Sequence, residues 1–355
     1  MSTQQIHAAV LHRVGRAPRY EAFPAPEAGA GEAVVTVAAA ALKPSDRLMA
    51  DGVHYAPASF PHVAGLDGVG RLEDGTRVAF FAPRAPYGGM AERTVVREGM
   101  WLPVPEGADD VTAAALLNPG MAAWKTVVAE GGLSAGQTVL VLGATGASGR
   151  VAAHVAKRRG ARVVAAGRDR RVLDELVARG ADAAIGVDRP HGELADAIAA
   201  EGPYDLVVDY LWSPPAEALF DALMRVNDPA RPIRHILVGM AAGENATLPA
   251  MTLRKAPVHL VGSGRGGRAS SRRARRLSPT FSTRRSRASW SSTWRPFRSP
   301  ASPRRGRARR ATAGSCSSRE PPSGGGPAVR GYGGPGGRLG RGGQRPLSMR
   351  PEISL

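Results

Sequence analysis

From residue 138 onward the chain alternates short, nearly unbroken apolar runs with stretches whose apolar residues recur at helical spacing. The runs TVLVLG (138–143), RVVAAG (162–167), AAIGVD (183–188), YDLVVDYL (204–211), IRHILVGM (233–240) and VHLVGSG (258–264) have strand length. Between the first two, Val151, Ala152, Val155 and Ala156 share one face of 147–159; between the next two, Val172, Leu173, Leu176 and Val177 share one face of 170–179. Strands apolar on both sides, joined by one-faced helices, predict a parallel sheet covered on both faces. Residues 1–115 follow a different rhythm. There EAVVTVAAAAL (32–42), GTRVAFFA (75–82) and AERTVV (91–96) alternate with period 2 and are cut by Gly, Pro and Asp turns. That predicts a small, mostly antiparallel, barrel-like domain. A helix begins at DDVTAAALL (109–117), so the expected division is 1–115, 116–264 and a remainder, 265–355, with neither period.

Charge changes the picture only for that remainder. A net charge of +18 over 355 residues ordinarily points to nucleic acid. Residues 265–355, however, hold 22 Arg, no Lys and two acids (Glu320 and Glu352), a net of +20. The first 264 residues, with 26 basic and 28 acidic side chains, carry −2. By composition the Arg/Ser/Pro/Gly-rich tail reads as disordered or nucleic-acid-binding. GC-rich codons read in a wrong frame give the same mixture. Assigning such codons to Ser292–Arg307 and reading one base earlier yields DVEAVPLAGVAAAWA, with helical spacing that a solvated basic tail has no reason to conceal. We read the tail as frameshifted. Two alternatives to an active protein stand beside that reading: an inactive reductase short of its last structural elements, and a nucleic-acid-binding tail, which its lack of Lys and few aromatics disfavour.

Apolar residues at 43% and charged residues at 22% fit a globular body with a sizeable core. The single cysteine, Cys316, excludes a disulfide framework and a Cys-rich zinc site. No run of 18 apolar residues exists, so no membrane-spanning helix is expected. The start, MSTQQIHAAVLHRVGR, lacks the apolar core of a signal peptide, and a cytoplasmic location is expected.

Candidate chemistry concentrates in VLVLGATGASGRVAAHVAKRRGARVVAAGR (139–168). A buried strand runs into Gly143, Ala144, Thr145, Gly146, Ala147, Ser148 and Gly149, then a helix and a second strand follow. Glycines let the backbone turn sharply and approach a pyrophosphate, and free amides at the helix start attract its charge. The spacing is Gly-x-x-Gly-x-x-Gly rather than Gly-x-Gly-x-x-Gly, but the strand–turn–helix–strand setting points to a dinucleotide. No Gly-Lys-Ser/Thr follows, which excludes a nucleoside-triphosphatase loop. Cofactor identity is set where the second strand ends. An acid there favours NAD; here the order is Gly167, Arg168, Asp169, Arg170, Arg171. Arg168 is placed to pair with a 2′-phosphate, with Arg170 or Arg171 in support, while Asp169 caps the next helix. NADPH is therefore expected, ahead of NADH.

Taken together, ALKPSDRLMADG (41–52), FPHVAGLDGVGRL (60–72), GTRVAFF (75–81), YGGMAERTVV (87–96), LLNPGMAAW (116–124) and the glycine turn resemble the medium-chain dehydrogenase/reductase superfamily, in its zinc-independent, quinone-oxidoreductase-like branch. The resemblance spans about residues 5–264. It implies an α/β plus β fold: a GroES-like barrel domain, then a Rossmann doubly wound parallel sheet. It also implies hydride transfer from NAD(P)H to a quinone or an activated alkene or carbonyl, and often a homodimer built through sheet edges. Zinc-dependent members bind metal through a Cys near Lys43 or Pro44 and the His of a Gly-His-Glu motif. Here the second motif reads Gly65-Leu66-Asp67 and the body has no cysteine, so no metal is expected; a lone His62 is not a site. Where many quinone reductases carry Asn and Tyr in the first substrate loop, this chain has Lys43 and Leu48. The remaining candidates for donor or acid are Lys43, Asp46, Tyr55 and Asn118. Asn118 and Met121 fall where the family lines the nicotinamide pocket. Val238, Gly239 and Met240 are expected to meet nicotinamide through backbone and packing, and Asp209 and Tyr210 to stand at the same edge.

Overall fold

The alternation seen in residues 1–115 folds into two antiparallel sheets. The computed structural model describes residues 4–264 apart from Tyr55, Asn227 and Pro229. Strands β1 (Gln5–Leu11), β2 (Arg19–Pro24), β3 (Glu32–Ala39), β4 (His62–Val63), β5 (Asp67–Arg71), β6 (Arg77–Phe81), β7 (Arg93–Arg97) and β8 (Trp101–Pro103) pair in the orders β2-β1-β4 and β7-β3-β5-β6-β8. Ile6, Ala8, Val10, Phe23 and Val63 fill one core and Val35, Val78, Phe80 and Val96 another. One short helix, α1 (Pro44–Ala50), interrupts the strands, with Pro44 in its first turn and the Asp46 carboxylate accepting from the Lys43 amide at its start. Expectations at Tyr55 and in the tail, 265–355, lie outside the described residues.

Helix α2 (Asp110–Ala123) starts where the sequence pointed, because the Asp109 side chain accepts from the Thr112 amide at 2.8 Å. It runs on through the buried Pro119 and passes directly into a π-helical segment, Trp124–Glu130. The division expected at 115/116 thus falls inside a continuous helix. α2 packs on β5 through Ala114 and Val69 and on the other side against α3 (Ala147–Arg158), so it joins the two halves.

The second half is a parallel sheet of six strands: β9 (Thr138–Leu142), β10 (Arg162–Gly167), β11 (Ala183–Gly186), β12 (Leu206–Asp209), β13 (Ile233–Leu237) and β14 (Val258–Gly262). Their order is β11-β10-β9-β12-β13-β14, which reverses direction between β9 and β12. Besides α3, helices α4 (Arg170–Ala178), α5 (His191–Ala200), α6 (Ser213–Val226) and α7 (Ala250–Lys255) connect the strands. Along β9, Val139 and Val141 enter the core under α3 and α4, while Leu140 and Leu142 enter the core under α5 and α6. Both faces of the strand are buried, which is why its sequence is unbroken apolar. Leu219, Phe220 and Leu223 of α6 are fully buried, each worth about 1.5–3 kcal/mol.

Five of the six expected strands are shorter than their apolar runs, two of them by three residues or more. The run 204–211 yields only Leu206–Asp209, and 233–240 only Ile233–Leu237, because both chains turn at the carboxyl edge of the sheet. Among the described residues, no helix is long and apolar enough to cross a membrane.

Candidate functional site

In an open parallel sheet, ligands bind beyond the carboxyl ends of the strands where the strand order reverses. Here that crevice lies past β9 and β12. The glycine turn occupies its β9 side. Gly143 has φ +88, and a Cβ added to Gly149 would run into the carbonyl oxygen of Gly143. The first glycine bends the strand and the third lets α3 approach it. Ala144 is buried, Thr145 and Ser148 are half-buried, and Gly146 and Ala147 are exposed, so the outer surface of the turn is open. No side chain caps α3 and no acid stands in its first turn. Its leading amides and dipole therefore face the crevice without a competing protein anion.

Gly167 ends β10 against the Thr145 side chain. Arg168 follows, exposed and with no ion pair or hydrogen bond among the described residues. Asp169 accepts from the Val172 amide at 3.1 Å and caps α4. Arg170 stands 3.9 Å from Asp174, and Arg171 is bound to Glu175. The structure thus separates the cations: Arg171 is committed within its own helix, whereas Arg168 stands unengaged beside the glycine turn.

The β12 side departs from expectation at Asp209. Its side chain is fully buried and engaged: Oδ1 accepts from the amides of Leu211 (2.8 Å) and Trp212 (2.9 Å), and Oδ2 lies 3.0 Å from Nε2 of His235. No carboxylate oxygen is left over for a ligand, so Asp209 stands behind the crevice rather than in it. The amides of Val238 and Gly239 both point back to the Asp209 carbonyl, at 2.7 and 3.2 Å. They can offer their carbonyls and the Val238 side chain, not N–H groups. Met240 is exposed. Burial pushes the Tyr210 hydroxyl up to about 12, a nearby Thr126 hydroxyl pulling slightly the other way. His235 went unnoticed in the sequence; its signal was a polar residue inside the apolar run IRHILVGM.

In the barrel half, Lys43 is not solvated. Its ammonium binds Asp67 Oδ1 (2.7 Å) and the Ala41 carbonyl (2.7 Å) and lies 3.2 Å from Asp46 Oδ2. All three side chains are buried. Asp46 also accepts from the amides of Lys43 (2.8 Å) and Leu66 (3.3 Å). An ammonium has three donors, and all three are met. Neither Lys43 nor Asp46 is poised to give a proton to a substrate; together with Asp67 they clamp the loop after β3 to β5. The Asn118 side chain, half-buried on α2, has no hydrogen-bond partner among the described residues, and Met121 is exposed one turn further on. Burial lowers the pKa of His62. Among the described residues no group of three or more His, Cys, Asp or Glu is arranged to hold a metal ion.

No family model matches the chain. It is 28% identical over 253 residues to prostaglandin reductase-3 of Bos taurus, an alignment spanning 65% of this chain and 64% of that protein. It is 27% identical over 264 residues to a probable NADPH-dependent quinone reductase of Emericella nidulans, spanning 62% and 73% of the two chains. The chain thus spans just under two thirds of the bovine protein's length. Among solved structures it is similar to the quinone oxidoreductase of Thermus thermophilus, determined alone and with NADPH: TM-score 0.62, 30% identity, 73% of this chain and 80% of that one. With that fold, that identity and that coverage, the chain belongs to the medium-chain dehydrogenase/reductase superfamily, in its quinone-oxidoreductase-like branch.

Proposed function

We propose that the chain is an NADPH-dependent oxidoreductase that works without a metal and delivers hydride to a quinone or an activated alkene or carbonyl. The observation that carries this reading is the open glycine turn at the reversal of strand order, with an uncapped helix beneath it and an unengaged Arg168 beside it. The residues present fit a phosphorylated dinucleotide: the α3 amides would hold its diphosphate and Arg168 its 2′-phosphate. Bound there, the cofactor supplies the hydride. The chain's own part is to hold, orient and exclude water. Asn118, its carboxamide without a partner among the described residues, is the candidate donor to a substrate oxygen; Lys43 and Asp46 keep the substrate loop in place. A role for Tyr55 remains an expectation from the sequence. The relatives named above are a prostaglandin reductase and quinone reductases, which supports a small electron-poor substrate. A cytoplasmic homodimer belongs to the same reading; the dimer is supported by the outer edge of β14, which is unpaired among the described residues.

The test is titration of the chain with NADPH and NADH by intrinsic fluorescence. Arg168→Ala is expected to weaken NADPH binding by roughly tenfold or more, the worth of a charge-assisted pair to phosphate, and to leave NADH unchanged. Equal weakening of both, or no NADPH binding by the parent chain, overturns the reading. Activity unaffected by a strong chelator is expected; its loss on chelation and return with zinc would overturn the metal-free part.

A further inference from the structure

Three residues, Tyr210–Trp212, separate β12 from α6, and the backbone there is strained. Trp212 and Ser213 have φ +59 and +54, left-handed values that any residue bearing a Cβ resists. Two such residues in succession persist only where the surroundings hold them.

Asp209, His235 and Phe220, which hold it, are all buried. Asp209 Oδ1 gathers the amides of Leu211 and Trp212, closing the turn. Its Oδ2 meets His235 Nε2 at 3.0 Å, with both side chains at 0% exposure. The Trp212 ring lies 6.2 Å from the His235 ring and 6.0 Å from Phe220, and Phe220 lies 5.7 Å from His235. His235 occupies an inner position of β13, where a fully covered strand ordinarily carries an apolar side chain. Its Nδ1 has no partner among the described residues, so the bond to Asp209 is what compensates the burial of the ring.

The turn in its strained form shapes the crevice. A Cβ on Gly143 would stand 3.1 Å from Tyr210 Cβ and 3.2 Å from Leu211 Cδ2, so Tyr210 and Leu211 rest directly on the glycine turn. The same turn organises the loop after β13. The carbonyl of Tyr210 accepts from Ala241 (3.2 Å) and that of Leu211 from Ala242 (2.9 Å). One buried carboxylate–imidazole pair therefore stands behind two loops that border the crevice.

We propose that Asp209 and His235 are a positioning pair: they lock the Tyr210–Ser213 turn in its left-handed form and so fix the wall of the cofactor crevice against the glycine turn, without touching the ligand. The proposal rests on the cofactor reading above. It is tested in the full-length chain with His235→Leu, which keeps bulk and loses the bond, and His235→Gln, which places an N–H near the position of Nε2. His235→Leu is expected to weaken NADPH binding by roughly tenfold or more, as small displacements at a reacting site do, and to speed hydrogen exchange in 209–213 and 238–243. His235→Gln is expected to restore both. Equal NADPH affinity and equal exchange in the two variants overturn the proposal. The unmutated chain supplies an independent measurement: the amides of Leu211 and Trp212 should exchange as slowly as those inside β12, and exchange at the rate of an exposed loop overturns the proposal even if no variant folds. Failure of the unmutated chain to bind NADPH would instead strike the cofactor reading, and the exchange data would still judge the pair.

Discussion

Lys43 shows how a residue that looks like a catalyst can be structural. Its ammonium sits between two buried carboxylates, Asp67 at 2.7 Å and Asp46 at 3.2 Å. Removing one member of a buried ionic cluster is costly because the opposite charges stay buried without it. Lys43→Met should lower the unfolding free energy by about 3–5 kcal/mol, and adding Asp67→Leu should recover a good part of that loss. Urea denaturation measures both; a loss below about 1 kcal/mol would mean that the cluster is solvated in solution. His62 makes a different prediction. Burial lowers its pKa from 6.5, so the fold prefers the neutral ring. Below about 6.5 the unfolded chain takes up the proton more readily than the folded one, and stability must fall as the pH falls. His62→Gln removes that contribution. Between pH 7 and about 5.5 the parent should lose more stability than the variant, and parallel losses would contradict the assignment.

The helices and strands separate what neighbouring residues encode from what distant ones impose. α4 is of the first kind. Asp169 caps it through the Val172 amide, as the local order of residues predicted. Asp169→Ala should destabilise the protein by about 1 kcal/mol and Asp169→Asn by far less, in thermal unfolding, with the preference between NADPH and NADH unchanged. A shift in that preference would return Asp169 to the ribose site. The strands of the parallel sheet were equally legible, since a strand buried on both faces has no polar positions to confuse its period. Their ends were not. YDLVVDYL reads as one strand, yet the Asp209 carboxylate captures the next amides and bends the chain after Asp209. Nothing local announces His235, 26 residues away, as its partner, just as Asp67 lies 24 residues beyond Lys43. The beginning of α2 was legible in the Asp109 cap, whereas its passage through Pro119 into a π-helical segment depends on packing between β5 and α3. Charge placement was half legible. The Arg168 cluster is visible in sequence, but its division into one unengaged and one committed guanidinium follows from where Glu175 falls on α4.

At the level of the whole chain, one edge of the parallel sheet breaks the rule that governs the rest. Inner strands of such a sheet are covered on both faces by helices. β14 is not: Leu260 and Val261, pointing to opposite faces, are 38% and 43% exposed, and Met251 and Leu253 of the adjoining α7 are 47% and 49% exposed. Apolar surface of this kind, on a strand whose outer edge is also unpaired among the described residues, is the kind that another element covers in a working protein. The basic composition that begins at Arg265 directly follows that strand. If the residues after Gly264 belong to a shifted frame, restoring the frame should supply the missing cover. A chain with residues 265–355 replaced by their frame-restored counterpart should bind less of a hydrophobic dye such as anilinonaphthalene sulfonate, scatter less light at equal concentration, and turn over NADPH faster than the unaltered 355-residue chain. A cut after Gly264 should keep the strong dye binding, because it removes the basic residues without covering Leu260 and Val261. Should the unaltered chain already be dye-silent and monodisperse, β14 needs no cover from a restored frame. The basic segment would then have to be explained by an anionic partner, detectable as RNA or DNA binding that weakens with salt and vanishes on the cut.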